Sequence, residues 1–108
     1  MDGIQNKGWF KCYIGLFQED IGLNESVFLC YLINIFPILF EKIEEDSIEY
    51  KRISDEFIQT YFKVSRPTIL KWFKKLEEQG YIKLTRRNHY NNTNRYYALN
   101  FEKINAVI

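Results

Sequence analysis

The hydrophobic period of the chain changes at Gly80, and no other feature restricts the possible folds as much. Before this glycine, Ile69, Phe73 and Leu76 recur at i, i+4 and i+7, the spacing of one face of an α-helix. After it, apolar and polar residues alternate over 81–86, as in a strand with one buried face. Glycine also suits the left-handed position that ends many helices. The pattern predicts a helix that leads directly into a strand, in a protein of the α+β class.

Two helices are predicted to meet in a tight turn over about residues 54–79. Ser65 is placed to cap the second helix, and Pro67 falls in its first turn, where a missing N–H costs nothing. Ser54 is placed in the same way to cap the helix before it, and only the short link 62–64 separates the two. This arrangement is typical of a helix-turn-helix.

A β-hairpin is predicted behind these helices, over about 81–99. After its first strand, residues 88–94 are expected to form a polar, asparagine-rich loop, and 95–99 the returning strand. A short extra strand is predicted at 47–51, because apolar and polar residues alternate there. The acidic stretch 41–46 before it is expected to be an exposed loop.

The longest uncharged run covers 27–40, which is fourteen residues. A membrane span needs roughly 20 apolar residues, so this run is predicted to be the central core helix or a helix shared with a partner. Asn24 is expected to cap this helix, and Pro37 to kink or end it. The aromatic segment 9–17 fits either a strand or a helix, and 100–108 is expected to include a last short helix.

The net charge of +1 hides two halves of opposite sign. Residues 1–62 contain five Lys or Arg against eleven Asp or Glu, a balance of −6. Residues 63–108 contain ten against three, a balance of +7. A chain of 108 residues is expected to form one domain, so one face of that domain would be strongly basic. The asymmetry indicates a polyanion partner, and a chance segregation of surface charge is the alternative.

The basic half resembles bacterial winged-helix proteins in the recognition helix and the wing. The matching segments are Ser65-Arg66-Pro67-Thr68-Ile69, Phe73, Leu76-Glu77, Gly80-Tyr81-Ile82 and the returning strand Arg95-Tyr96-Tyr97-Ala98-Leu99-Asn100. The resemblance covers about residues 48–100 and implies a winged helix-turn-helix of three or more helices, a C-terminal hairpin wing and a short extra strand. It also implies binding to double-stranded DNA.

The N-terminal half is similar to winged-helix modules in replication proteins of plasmids and phages of Gram-positive bacteria. The similar segments are Trp9-Phe10-Lys11 and Gly22-Leu23-Asn24-Glu25-Ser26-Val27. We expect no second domain for oligomerisation after the wing, and on that expectation the resemblance implies an accessory factor in replication, conjugative transfer or partition rather than a complete initiator. A transcriptional regulator of the same fold is an open alternative. So is a protein-interaction or scaffold module that does not bind DNA.

On that fold the second helix enters the major groove, and its N-terminal residues meet base edges. A helical wheel centred on Ile69 puts three lysines on the outward side, where they would contact phosphates, and Arg66 is expected to reach guanine. The candidate recognition residues are Ser65, Arg66, Pro67, Thr68, Lys71, Lys74 and Lys75. A solvated lysine face is the alternative explanation of this pattern.

The wing is expected to enter the minor groove, where Arg and Asn side chains read groove width. The candidate wing residues are Lys83, Arg86, Arg87, His89, Asn91, Asn92, Asn94 and Arg95. The alternative is that the loop has no nucleic-acid role. We expect Lys71 and Arg87 to act as phosphate contacts, which strengthen binding to any sequence.

Neither catalysis nor a cofactor is predicted. The chain has no glycine-rich phosphate loop and no nucleophile paired with a base, and the lone His89 lacks zinc-ligand neighbours. Cys12 and Cys30 are too few for a disulfide scaffold, which favours a reducing cytoplasmic location. Taken together, surplus apolar residues suggest a homodimer, which would act with other plasmid or phage proteins and not at a membrane. Ordinary core packing is the alternative explanation for each of these residues. Those residues are Tyr13, Tyr31, Leu70, Trp72, Ile104, Val107 and Ile108.

Overall fold

Residues 10–89 and 92–108 of the computed structural model form four α-helices and one four-stranded antiparallel sheet. The predicted α+β class is therefore confirmed. In chain order the elements are α1 (Leu23–Ile35), β1 (Lys42–Glu45), β2 (Ile48–Arg52), α2 (Asp55–Phe62), α3 (Arg66–Glu78), β3 (Ile82–His89), β4 (Asn92–Leu99) and α4 (Phe101–Val107). Short 3₁₀ turns at Ile14–Leu16 and Phe36–Ile38 flank α1. The prediction for Trp9 lies outside the described residues.

Helix α1 begins two residues earlier than its sequence signals predict. Gly22 is its N-cap, with a φ of 98°, and the Ser26 hydroxyl donates to the Gly22 carbonyl at 2.7 Å. The prediction that Asn24 caps this helix is wrong, because Asn24 already lies inside the first turn. At the other end the helix stops at Ile35, and Pro37 lies in the 3₁₀ turn that follows. The predicted end near this proline is confirmed.

The strand order of the sheet is β1-β2-β4-β3, and β1 was missed by the sequence prediction. The acidic stretch expected to be a loop instead pairs with β2, with Ile43 opposite Tyr50. Asp46 and Ser47 both have positive φ, 54° and 65°, and make the tight turn between the two strands. Because Ser47 belongs to this turn, β2 begins at Ile48, one residue later than predicted. The charged residues of β1 are the reason that the sequence predicted a loop there. Because β1 is an edge strand, Glu44 stays exposed.

Strands β3 and β4 are longer than predicted. The prediction of an asparagine-rich loop over 88–94 is wrong, because most of these residues belong to the two strands. The ladder continues through Arg87 opposite Asn94 and Asn88 opposite Thr93, to His89 opposite Asn92. Backbone hydrogen bonds form such a ladder whatever the side chains are, so turn-favouring residues do not prevent it. Asn91 lies outside the described residues.

The two faces of the sheet are buried by different elements. The inner face, which carries Ile82, Leu84, Arg86, Arg95, Tyr97 and Leu99, packs towards α1 and α3. The outer face carries Thr85, Arg87, Tyr96 and Ala98. On the outer face Tyr96 and Ala98 are buried with Tyr50 of the β1–β2 hairpin. That hairpin therefore covers the back of β4.

The predicted apolar stripe of α3 is confirmed: Ile69, Phe73 and Leu76 are all buried. They pack into a core rich in aromatic rings, in which Phe28 of α1 lies 5.0 Å from Phe73 between ring centroids. The Tyr97 hydroxyl donates to the Leu32 carbonyl at 2.8 Å, and burial raises the pKa of Tyr97, so it remains a donor. These contacts anchor α1 to β4.

Three of the surplus apolar residues considered for a dimer interface pack in the core of this chain, which confirms the alternative explanation for them. Tyr31, Trp72 and Ile104 are 0%, 7% and 2% exposed, so none of them is available to a second subunit. Leu70 and Ile108 are exposed. No helix in the described part of the chain is long and apolar enough to span a membrane.

The two thiols are expected to react at very different rates. Cys30 is buried in α1 and accepts a hydrogen bond from the Tyr13 amide at 3.4 Å, while Cys12 is exposed. Burial raises the pKa of Cys30 to about 11, so it is overwhelmingly protonated at neutral pH. We predict that a thiol reagent labels Cys12 rapidly in the native protein and Cys30 only after unfolding. Peptide mapping after timed labelling measures this, and equal rates would contradict the buried position of Cys30.

Candidate nucleic-acid interface

The start of α3 differs in one detail from its prediction. Ser65 is the N-cap residue, but its side chain makes no capping hydrogen bond to the backbone. Its hydroxyl instead lies 3.1 Å from the Thr68 hydroxyl. The predicted capping bond is therefore wrong, and the first-turn amides of α3 have no side-chain cap. The first-turn amides of a helix carry the positive end of its dipole.

The outward side of α3 carries the lysines that the helical wheel predicts there. Lys71 and Lys74 are exposed and Lys75 is partly exposed. Pro67 is exposed on the same side, opposite the buried stripe. Lysine stems can lie along a helix while their charged ends stay in water, so these three charges form one basic surface.

The two arginines in the middle of β3 lie on opposite faces of the sheet. On the outer face, Arg87 forms an ion pair with Glu45 of β1 and hydrogen bonds with Thr85. On the inner face, Arg86 is exposed and lies opposite Arg95 in the ladder. Arg87, expected to contact phosphate, is thus already neutralised within the chain, whereas Arg86 is not.

Arg95 is not a surface residue, which corrects its place among the wing candidates. Its side chain is only 6% exposed, and Nη1 donates to Asp55 Oδ1 at 2.6 Å. The guanidinium carbon lies 4.4 Å from the centroid of the Phe73 ring on α3. Arg95 therefore joins β4 to α2 and α3 in the interior and cannot contact DNA without leaving that position.

The remaining candidates divide by position. Lys83 is exposed on β3, Asn94 is partly exposed on β4, and Arg66 is exposed at the start of α3. The backbones of His89 and Asn92 pair with each other at the far end of the ladder. Helix α3 and the hairpin are linked through α2, because Asp55 contacts both Arg66 of α3 and Arg95 of β4.

Six cationic side chains within the described residues form neither an ion pair nor a cation–π contact. The five ion pairs of that part of the chain engage Lys42, Arg52, Arg66, Arg87 and Arg95. The six unpaired cations are Lys63, Lys71, Lys74, Lys75, Lys83 and Arg86. All six come from the basic half of the sequence, and they occupy the α2–α3 turn, α3 and β3.

Lys63 was missed among the sequence candidates. It occupies the turn between α2 and α3 with a φ of 58°, and its side chain is exposed beside the start of α3. A signal was available, because a lysine directly before a recognition helix adds positive charge to the end that would meet DNA. Asp55 was also missed, because an acidic residue in a first helical turn usually needs no explanation beyond the helix dipole.

A groove of about 700 Å³ opens between the start of α2, the start of α3 and the inner face of the hairpin. Four arginines line it, accompanied by Asp55 and Glu56. The arginines are Arg52, Arg66, Arg86 and Arg95. The groove is polar and open to solvent, and the exposed Leu70 forms part of its α3 wall.

The described residues hold no cluster of three or more His, Cys, Asp or Glu side chains suited to a metal ion. Comparison with protein-family models, curated proteins and solved structures gave no match to this chain.

Proposed function

We propose that this protein is a winged helix-turn-helix that binds double-stranded DNA without catalysis. The order of α1, α2, α3 and the β3–β4 hairpin supports this fold, as does the three-residue link between α2 and α3. The pairing of β2, which precedes α2, with the returning strand β4 supports it as well. The observation that carries the functional proposal is the group of unpaired cations on α3, on the turn before it and at Arg86 of the neighbouring hairpin. Lys83, which pairs with Ala98, lies on the outer face of that hairpin.

In the proposed complex α3 lies in the major groove, which is wide enough for a helix. Ser65, Arg66 and Thr68 are then nearest to base edges, while Lys71 and Lys74 reach phosphates on either side. Arg86 and Asn94, on the hairpin beside α3, approach the adjacent minor groove or its phosphates. The uncapped amides of the first turn of α3 add hydrogen-bond donors for a phosphate.

The proposed biological setting follows the sequence resemblance: an accessory factor of plasmid or phage replication, conjugative transfer or partition. A cytoplasmic homodimer would present two recognition helices to half-sites about 34–36 Å apart. Ile38, Phe40 and Phe101 are 64%, 96% and 54% exposed and offer apolar area for self-association. Transcriptional control by the same contacts is the alternative role.

Binding to duplex DNA is measured directly by fluorescence anisotropy on random-sequence and AT-rich duplexes at two salt concentrations. We expect binding at low salt that weakens steeply as salt rises, because phosphate contacts release counterions. The same preparation is checked by circular dichroism and by its oligomeric state in solution. A folded protein that binds no duplex at low salt would contradict the proposal and favour the interaction-module alternative.

The two β3 arginines provide a matched pair of variants within this interface. We predict that R86Q flattens the plot of log affinity against log salt by about one unit, because an unpaired cation is lost from the DNA side. R87Q is expected to change the slope less, because Glu45 already neutralises Arg87 on the outer face. An equal or larger effect of R87Q would move the interface to the outer face of the hairpin.

A further inference from the structure

We infer that Asp55 is a positioning residue that holds Arg66 for recognition of a guanine base. This inference rests on the proposed function and adds a specific role for one carboxylate within it. Asp55 lies in the first turn of α2, and its two oxygens contact different elements. Oδ1 accepts from Arg95 of β4, and Oδ2 forms an ion pair with Nε of Arg66 on α3 at 3.4 Å.

The carboxylate of Asp55 is itself held in place. Its side chain is 18% exposed, and turning it away from Arg95 would leave a buried guanidinium without its counter-charge. The Ser54 hydroxyl accepts from the Phe57 amide at 3.1 Å and so fixes the start of α2, which carries Asp55. Asp55 therefore offers Arg66 a stationary partner rather than a mobile surface acid.

Arg66, by contrast, reaches outward. It is the first residue of α3, and its side chain is 64% exposed. Because Nε faces Asp55, the two Nη groups at the far end of the guanidinium are left for a ligand. This edge matches a pair of neighbouring acceptors, and in the major groove the O6 and N7 atoms of guanine form such a pair.

The ion pair favours a base over a phosphate as the partner of Arg66. Asp55 is shared between Arg66 and Arg95, so the three groups together keep one positive charge, and what distinguishes Arg66 from the lysines is the fixed direction of its guanidinium. Its N–H groups still donate to the uncharged acceptors of guanine. The unpaired Lys71 and Lys74 show the opposite combination, full charge without fixed geometry, which suits phosphate. On α3, the paired Arg66 is thus suited to recognise a base, and the unpaired lysines are suited to contact the DNA phosphates.

The test selects binding sites from a library of duplexes with a randomised centre. Wild-type protein is expected to enrich guanine at one position, and R66K to lose that preference by about 10-fold or more, because lysine lacks the second donor edge. D55N is expected to lose the same preference. E56Q alters the neighbouring acidic residue of the same helical turn and is expected to keep it.

A second comparison avoids leaving Arg95 as an unpaired buried charge. R95M leaves Asp55 with its contact to Arg66 but without the partner that holds it, and is expected to weaken the guanine preference without abolishing it, whereas D55N/R95M is expected to lose it. Loss of guanine preference in D55N/R95M but not in R95M supports the inference. Uniformly weaker binding with the preference retained in D55N/R95M overturns it, and so does a guanine preference that survives in R66K. Wild-type protein that captures duplexes without enriching guanine at any position also overturns the inference, whereas wild-type protein that captures no duplex at low salt contradicts the proposed function itself.

Discussion

Replacement of Arg95 with alanine is expected to lower the free energy of unfolding by about 3–5 kcal/mol. The substitution leaves the largely buried Asp55 with only the longer contact to Arg66, and it removes the guanidinium that packs on the Phe73 ring. It also opens space where β4 meets α2 and α3. The expected fall in melting temperature is roughly 10–25 °C, measured by circular dichroism with urea unfolding as a second method.

R66A is the matched control for this prediction, because Arg66 contacts the same carboxylate from the surface. An exposed ion pair contributes at most about 1 kcal/mol, so R66A is expected to be nearly as stable as the wild type. The contrast depends on burial, since the Arg95 side chain is 6% exposed and that of Arg66 is 64% exposed. Equal losses in the two variants would show that Arg95 is not the internal link described here.

The quadruple variant K71Q/K74Q/K75Q/R86Q is expected to reduce the slope of log affinity against log salt by about three to four units. Each phosphate contact contributes about 0.9 to that slope, and all four side chains belong to the unpaired cations on α3 and β3. At low salt the affinity for any duplex is expected to fall by several orders of magnitude. Anisotropy titrations over a series of salt concentrations measure both quantities.

A second quadruple variant, K11Q/K42Q/K51Q/R87Q, removes the same total charge from places outside the groove and α3. Lys11 lies over the Tyr13 ring, Lys51 lies over the Phe36 ring, and the other two are paired with glutamates. If location decides binding, this variant should retain most of the wild-type slope. Similar slopes for the two quadruple variants would show that net charge alone attracts DNA and that the α3 surface has no special role.

The α3 helix and the hairpin behind it could be derived from the sequence because their signals are local. Ile69, Phe73 and Leu76 mark one face of a helix by spacing alone, and Gly80 takes the left-handed conformation expected of it, with a φ of 81°. The outward direction of Lys71 then follows from helical geometry.

Other features could not be derived in this way, because charge and turn propensity are weak guides where strands pair at a distance. The sequence of β1 is typical of a charged loop. It forms a strand because it pairs with β2 and because Ile43 packs against the apolar cluster on the outer face of β4. Similarly, Arg86 and Arg87 are adjacent and chemically alike. Only the sheet decides that one meets Glu45, forty-two residues away, and the other faces the groove.

By itself the sequence determined the two helices, the hairpin after Gly80 and a basic second half, since spacing and charge are properties of neighbouring residues. Tertiary structure alone decided which of those cations stay unpaired. Arg95 appears in the sequence as one more wing arginine, yet it is buried against Asp55, forty residues away. The sequence specifies the charge of each side chain. The electrostatic effect of that charge depends on how deeply the fold buries the side chain and on which partners it contacts.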